Sequence, residues 1–337
     1  MTALTDRYDA ALFDLDGVVY LGPVAVDGAA EGIRALRDRG TRVGFVTNNA
    51  ARPPAAVADH LVELGIAATA ADVVTSAQAG AQLLARQLEP GARVLAVGGS
   101  GVWDALAEVG LVGVRSAHDR PVAVLQGFGF DLTWDQLNEA AIAIQQGAHW
   151  VATNIDPTRP TDRGIVPGNG AAVDAVRQAV SVDPEVAGKP FRPLVDATVA
   201  RLGAAHPVFV GDRLDTDIAG AVGAGLDSLL VLTGAHGAAD LVAAAPDSRP
   251  THLGYDLRDL LQPARVCLER PGEMSCGEQT AVVDSGRIEI VGTPADRASA
   301  VDALWATATL AWRTADLGRV VDATPAVSVI DAVLSRR

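Results

Sequence analysis

Two aspartates, Asp14 and Asp16, stand two residues apart at the end of the apolar run Asp9-Ala-Ala-Leu-Phe-Asp-Leu15. In extended backbone, side chains two apart point the same way. Both carboxylates can therefore face one site while Leu15 turns into a core. Two carboxylates on one face repel unless a proton or a cation lies between them. Mg²⁺ suits such a place, because it takes oxygen ligands and usually only one or two protein carboxylates, with waters and substrate phosphate. Asp-x-Asp-Gly is also ordinary turn chemistry, with Gly17 allowing the bend.

Two more segments end in comparable groups: Thr47-Asn48-Asn49 and Gly211-Asp-Arg-Leu-Asp-Thr-Asp217. Asp212 can complete a metal site. Asp217 falls in the first turn of the next helix, where it can orient Asp212 or a metal-bound water, or simply favour the helix N-terminus. Asp215 reads as that helix's N-cap. The Thr47 hydroxyl and the N–H groups after it suit a phosphate oxygen, though a plain strand-to-helix turn explains them as well.

Of 27 basic residues, a single one is lysine, Lys189 in Gly188-Lys189-Pro190. Arginine replaces lysine everywhere else, so a lysine that persists is a candidate for work that a wide planar fork cannot do. Pro190 keeps Lys189 out of a helix. A lysine so placed can neutralise a phosphate and a nucleophilic carboxylate; the plain alternative is a solvated surface side chain.

The elements that must position these groups alternate. Strands are expected at 9–15, 42–47, 93–97, 122–126, 150–153, 207–211 and 228–232. Helices are expected at 28–39, after Pro53, and at 77–87, 101–109, 134–146, 170–180, 193–202 and 216–224. This rhythm marks an α/β fold with a parallel sheet, and ligands of such sheets bind beyond the carboxyl ends of the strands. From about residue 265 the character changes to a hairpin over 278–291 and an Ala-rich helix over 296–314, with Trp305 and Trp312 on one face.

Bulk composition narrows the partners. With a formal charge of −14 and a pI near 4.8, the chain lacks the basic excess that polyphosphate binding needs, so no nucleic-acid partner is expected. A polar N-terminus and the lack of a long apolar stretch predict no signal peptide and no membrane partner, hence a cytoplasmic protein. Cys267 and Cys276 read as reduced thiols, since no zinc-ligand spacing surrounds them.

Taken in order, Phe13-Asp-Leu-Asp-Gly-Val-Val-Tyr20, Phe45-Val-Thr-Asn-Asn49, Gly188-Lys-Pro190 and Gly211-Asp-Arg-Leu-Asp-Thr-Asp217 resemble the four motifs of the haloacid dehalogenase superfamily. The long insert between the second and third resembles the large α/β cap of its 4-nitrophenylphosphatase, phosphoglycolate phosphatase and glycerol 3-phosphate phosphatase branch. Thr153-Asn-Ile-Asp156 and Val166-Pro-Gly-Asn-Gly170 look like that cap's loops. The resemblance covers roughly residues 8 to 262. It implies a Rossmann-like core at 1–77 and 187–263, an inserted cap at 78–186, and an appended α+β domain of unknown role at 264–337. It further implies that Asp14 is nucleophile and metal ligand. Asp16 would be general acid and then base, with its backbone carbonyl on the metal, and Asp212 the third ligand. Asp217 would stand behind the ligands. Thr47, Asn48 and Lys189 would hold the phosphate. Asn154, Asp156 and Asn169 are candidates for reading the rest of the substrate; Asn169 replaces the small residue usual at its position.

The implied activity is Mg²⁺-dependent hydrolysis of a small phosphorylated metabolite through an aspartyl-phosphate. Glycerol 3-phosphate and 2-phosphoglycolate are the first examples, with pyridoxal phosphate and nucleoside monophosphates as others. A second acid for the leaving alkoxide, Asp16, is what a phosphatase needs and a dehalogenase does not. Two alternatives stay open at this point: transfer of the phosphoryl group to an alcohol or sugar, and a non-catalytic sensor acting through the C-terminal domain. A homo-oligomer through the cap or the C-terminal domain is the expected protein partner.

Overall fold

A computed structural model describes residues 2–161 and 163–335. The chain forms two compact units, Met1–Arg42 with Ala205–Arg337, and Val43–Ala204.

In the first unit, four parallel strands lie in the order His252–Gly254, Asp227–Val231, Pro207–Gly211, Ala10–Asp14. Every residue of Ala10–Asp14 and of Pro207–Gly211 is buried. A parallel strand covered on both faces needs a continuous apolar run rather than an alternating one, and the sequence Ala-Ala-Leu-Phe is such a run. Pairing sets Phe13 beside Val210. Asp14 and Asp212 are thereby delivered to the same carboxyl edge.

The C-terminal part of this unit is a four-stranded antiparallel sheet in sequential order: Cys267–Arg270, Glu273–Cys276, Gln279–Asp284 and Arg287–Val291. Helices Arg297–Asp316 and Thr324–Leu334 follow. The second hairpin and the long helix were expected. The first hairpin and the last helix were not: Glu, Arg and Ser interrupt the apolar pattern of 267–276, and Leu268 is exposed.

This C-terminal part shares a core with the parallel sheet. One buried cluster joins Leu230, Leu241 and Leu253 to Met274, Ile288, Leu304 and Trp305. Trp305 and Trp312 meet edge to face, with centroids 5.6 Å apart. The Trp312 indole N–H donates to the Leu241 carbonyl at 3.1 Å. Arg265 pairs with Asp259 at 2.6 Å and Asp302 at 2.9 Å. Truncating Trp312 to alanine leaves a large hole and an unpaired Leu241 carbonyl. It is expected to cost about 3–5 kcal/mol, read as a lowered denaturant midpoint with the metal site still titratable.

The second unit holds five parallel strands in the order Glu185–Val186, His149–Ala152, Ala123–Gln126, Arg93–Val97, Val112–Val114. Helices Ser100–Glu108, Trp134–Gln145 and Asn169–Arg177 accompany them. Leu137, Ile144, Val173 and Val176 from two of these helices join Val124 and Trp150 of the sheet in one apolar cluster. A hairpin, Thr158–Thr161 with Gly164–Pro167, was not expected. The unit also contains the parallel pair Arg42–Thr47 and Val73–Thr75, with Thr47 beside Thr75, and the helix Arg192–Leu202.

Candidate active site

The first unit assembles the acids. Asp14, Asp212 and Asp217 are all buried, at 8%, 3% and 1% exposure. Each offers a carboxylate oxygen within 4.8 Å of the others. Three hard oxygen donors so close fit a hard divalent cation such as Mg²⁺. A positive charge among them offsets the mutual repulsion that their burial would otherwise raise.

The expected single helix over 216–224 is two elements. A π-turn over Leu214–Ile218 precedes a short helix, Ala219–Ala224. The Ile218 N–H reaches back to the Arg213 carbonyl at 3.1 Å, a widened turn of the kind found at functional sites. It returns Asp217 to the strand end, where its carboxylate accepts the Arg213 N–H at 3.1 Å. Asp215 is not the N-cap: it accepts two bonds from the Arg213 guanidinium, at 3.1 and 2.7 Å. Asp215 lies inside the Leu214–Ile218 turn, whose N-cap position is Arg213.

Asp16 is exposed. It lies outside the carboxylate cluster, on a turn closed by the Gly17 N–H donating to the Tyr20 carbonyl at 2.8 Å.

The loop after the strand Asp227–Val231 contributes residues that the sequence reading missed. The Thr233 hydroxyl donates to the Gly17 carbonyl at 2.6 Å. The Ala235 N–H donates to the Asp212 carboxylate at 2.6 Å. The Leu214 N–H donates to His236 Nδ1 at 2.8 Å. Gly17, at φ +87°, and Gly234 flank the Asp212 carboxylate so closely that a Cβ on either would strike it. The available signal was a Thr-Gly just after an apolar strand, Thr233-Gly234 following Asp227–Val231. Gly234→Ala is expected to push Asp212 off its seat. The half-saturating Mg²⁺ concentration should rise about 10- to 100-fold, measured by calorimetric titration of the metal alone and by the metal dependence of turnover.

In the second unit, one network holds the other nominated residues. Thr47 is buried and its hydroxyl accepts the Asn49 N–H at 3.0 Å. Lys189 is 3% exposed, so it is no solvated surface lysine. Asn48 joins the two segments: its carbonyl oxygen Oδ1 accepts the Lys189 N–H at 2.8 Å, and its Nδ2 donates to the Lys189 carbonyl at 3.2 Å. Nδ2 also donates to Asp156, at 3.1 Å to the nearer carboxylate oxygen. Asn154 Nδ2 donates to the Asn48 backbone carbonyl at 2.7 Å, and Asn169 Nδ2 to the Asn154 carbonyl at 2.7 Å. Asn48, Asn154 and Asn169 thus spend amide groups on tying loops together. Asp156 is half-buried beside them.

The profile of the haloacid dehalogenase-like hydrolases matches residues 11–112, and a related HAD-hydrolase-like profile matches 186–260. The D-glycerol 3-phosphate phosphatase of Mycobacterium tuberculosis is 51% identical over 271 residues, covering 80% of this chain and 76% of the relative. The chain belongs to the haloacid dehalogenase-like hydrolases. Within that family it stands among the phosphatases. The 5'-nucleotidase YutF of Bacillus subtilis is 37% identical over 229 residues, 67% of this chain and 88% of the relative. The crystal structure of the M. tuberculosis glycerol phosphate phosphatase in complex with magnesium superposes with a TM-score of 0.84 at 45% identity, over 93% of each chain. Among the described residues, no helix of this haloacid dehalogenase-like hydrolase is long and apolar enough to cross a membrane.

Proposed function

We propose that the chain hydrolyses a small phosphomonoester, glycerol 3-phosphate first among them, by way of a phosphorylated Asp14. The buried cluster of Asp14, Asp212 and Asp217 carries this reading. The substrate follows from the 51% identity to the D-glycerol 3-phosphate phosphatase. The 37% identical relative is named a 5'-nucleotidase, so both relatives act on phosphate esters.

Each chain residue has a role that conserves atoms and charge. The Asp14 carboxylate attacks phosphorus, and the ester oxygen leaves with a proton from Asp16. Water then attacks the aspartyl-phosphate while Asp16 takes its proton, so Asp14 is regenerated and phosphate departs. A covalent stage splits one slow displacement into two easier ones, and a placed acid–base group contributes about 10²- to 10⁴-fold. Lys189 and Thr47 hold the phosphoryl oxygens, and Asn48 holds the Lys189 loop. Asp14, Asp212 and the Asp16 carbonyl are the metal ligands in this reading; Asp217 braces the Arg213 turn beside them. Mg²⁺, when bound, neutralises charge on the transferring group. Asp156, Asn154 and Asn169 set the shape of the loop that meets the rest of the substrate.

The same reading divides the chain into hydrolase core (1–77 and 187–263), cap (78–186) and appended domain (264–337). The five parallel strands between 93 and 186 and the antiparallel sheet after 267 support a cap and a C-terminal element within these bounds, although the compact units divide the chain elsewhere, at 42/43 and 204/205. It sets the enzyme in the cytoplasm, where phosphorylated metabolites are made, and the charge of −14 supports the exclusion of nucleic acid. A second copy of the chain is the protein partner it assigns, through the cap or the C-terminal region; Phe130 and Trp134, 70% and 71% exposed on the cap, support the former.

The test is phosphate release from a panel of phosphomonoesters, with Mg²⁺ and with EDTA. Release is expected to stop in EDTA and return with Mg²⁺, with glycerol 3-phosphate highest in kcat/KM. A folded protein releasing phosphate from nothing in the panel would overturn the assignment.

A further inference from the structure

Cys267 and Cys276 lie in the C-terminal sheet, away from the acids and outside the chemistry above. They are direct cross-strand partners in the hairpin Cys267–Arg270 and Glu273–Cys276. The hairpin turns on two residues, Pro271 and Gly272, so the flanking pair Arg270 and Glu273 is the hydrogen-bonded one. Antiparallel pairs alternate, which makes Cys267 and Cys276 a non-hydrogen-bonded pair. Such pairs hold their Cα atoms about 4.5 Å apart, within the span of about 4.4–6.8 Å that a disulfide needs. Both side chains face the same apolar cluster, so no strand has to turn over to join them.

The two thiols are not equivalent. Cys276 is 1% exposed, while Cys267 is half-buried, with Sγ 3.7 Å from the Thr309 hydroxyl. The Cys276 thiol and the Thr309 hydroxyl stabilise a thiolate on Cys267 and hold its pKa below the usual thiol value against the opposing effect of burial. The same contact, with burial, pushes Cys276 up. One sulfur is thus prepared to attack and the other to keep its proton.

We propose that Cys267 and Cys276 form a reversible dithiol couple in which Cys267 attacks a peroxide and Cys276 resolves the product into a disulfide. The Cys267 thiolate takes one oxygen of the peroxide as its O–O bond breaks, giving a sulfenic acid; the other oxygen leaves as water or alcohol after protonation. Cys276 sulfur then attacks Cys267 sulfur, the S–O bond breaks, and the hydroxide leaves as water with the Cys276 proton. Two thiols are oxidised and one peroxide is reduced. A low-molecular-weight thiol reverses the bond by exchange.

Hydrogen peroxide at equimolar and excess amounts tests this on the full chain. The expected result is loss of both titratable thiols under denaturing conditions and a Cys267–Cys276 cross-link in the non-reducing peptide map. The chain should stay single on a non-reducing gel, and dithiothreitol should restore both thiols. In Cys276→Ser, dimedone is expected to label Cys267 after peroxide; in Cys267→Ser, Cys276 is expected to stay unlabelled. Thiols that stay titratable in excess peroxide, a disulfide between two chains, or labelling of Cys276 would each overturn the proposal. Should Cys276→Ser fail to fold, by circular dichroism, the wild-type peptide map decides by itself.

Discussion

Asp14→Asn is expected to end phosphate release, with a fall in kcat on the order of 10⁴-fold or more, as loss of a nucleophile typically gives. An amide oxygen at this position is nearly the same size and stays in the same strand, so the fold should persist. What goes is the negative charge that the proposed mechanism uses to attack phosphorus. The side chain is 8% exposed and crowded by Asp212 and Asp217, so the substitution also removes a source of repulsion. The metal-free variant should therefore melt no lower than the metal-free wild type, while the increase in Tm that Mg²⁺ confers should shrink. Calorimetric melting with EDTA and with Mg²⁺, beside single-turnover phosphate release, separates the two effects. Turnover within about tenfold of wild type would remove Asp14 from the role of nucleophile. A large drop in the metal-free melting temperature would show that its charge holds the fold.

Lys189→Arg is expected to lower kcat about 10²- to 10³-fold, the usual effect of losing one preorganised stabilising group. The charge is conserved, so the loss tests shape. Lys189 is 3% exposed, and its backbone is held on both sides by Asn48, through its N–H and its carbonyl. A loop so fixed cannot retreat to admit a planar guanidinium. Arginine presents a wide fork in place of the compact ammonium to which the proposed mechanism gives the phosphoryl oxygens. In a chain that uses arginine at every other basic position, a poorly active Lys189→Arg would explain why lysine persists here. An arginine variant with full kcat and KM would reduce Lys189 to a source of positive charge.

Some parts of the molecule were legible in sequence because local physics determines them. Asp14 and Asp212 each end a short apolar run, and the runs became central strands buried along their length. The helices 134–146 and 193–202 were read within a residue or two, since their apolar spacing and end signals lie inside the segment itself. The hairpin Gln279–Asp284 and Arg287–Val291 was read at its bounds because a Ser-Gly turn separates two β-rich strands. By contrast, the strand Cys267–Arg270 has one half-buried residue and three exposed ones. Its pattern carries no face, and only its neighbours make it a strand. The helix Thr324–Leu334 went unread although its sequence is rich in Val and Ala.

Within the site, the sequence alone determined which residue types stand at strand ends, their order along the chain, and the reaction class those types imply. Strand period, turn chemistry and helix signals act over a few residues, so one line of sequence contains them. Only the tertiary structure decided the rest. Folding placed Asp217, through a π-turn, within the same carboxylate cluster as Asp14 and Asp212. It brought Thr233, 216 residues away, against Gly17, and Gly234 and Ala235, the latter 23 residues away, against Asp212. It used Asn48 to anchor the Lys189 loop, and packed the C-terminal helices into the core of the parallel sheet. These are contacts between segments distant in sequence, and what selects them is shared burial and mutual hydrogen bonding, which no single segment encodes.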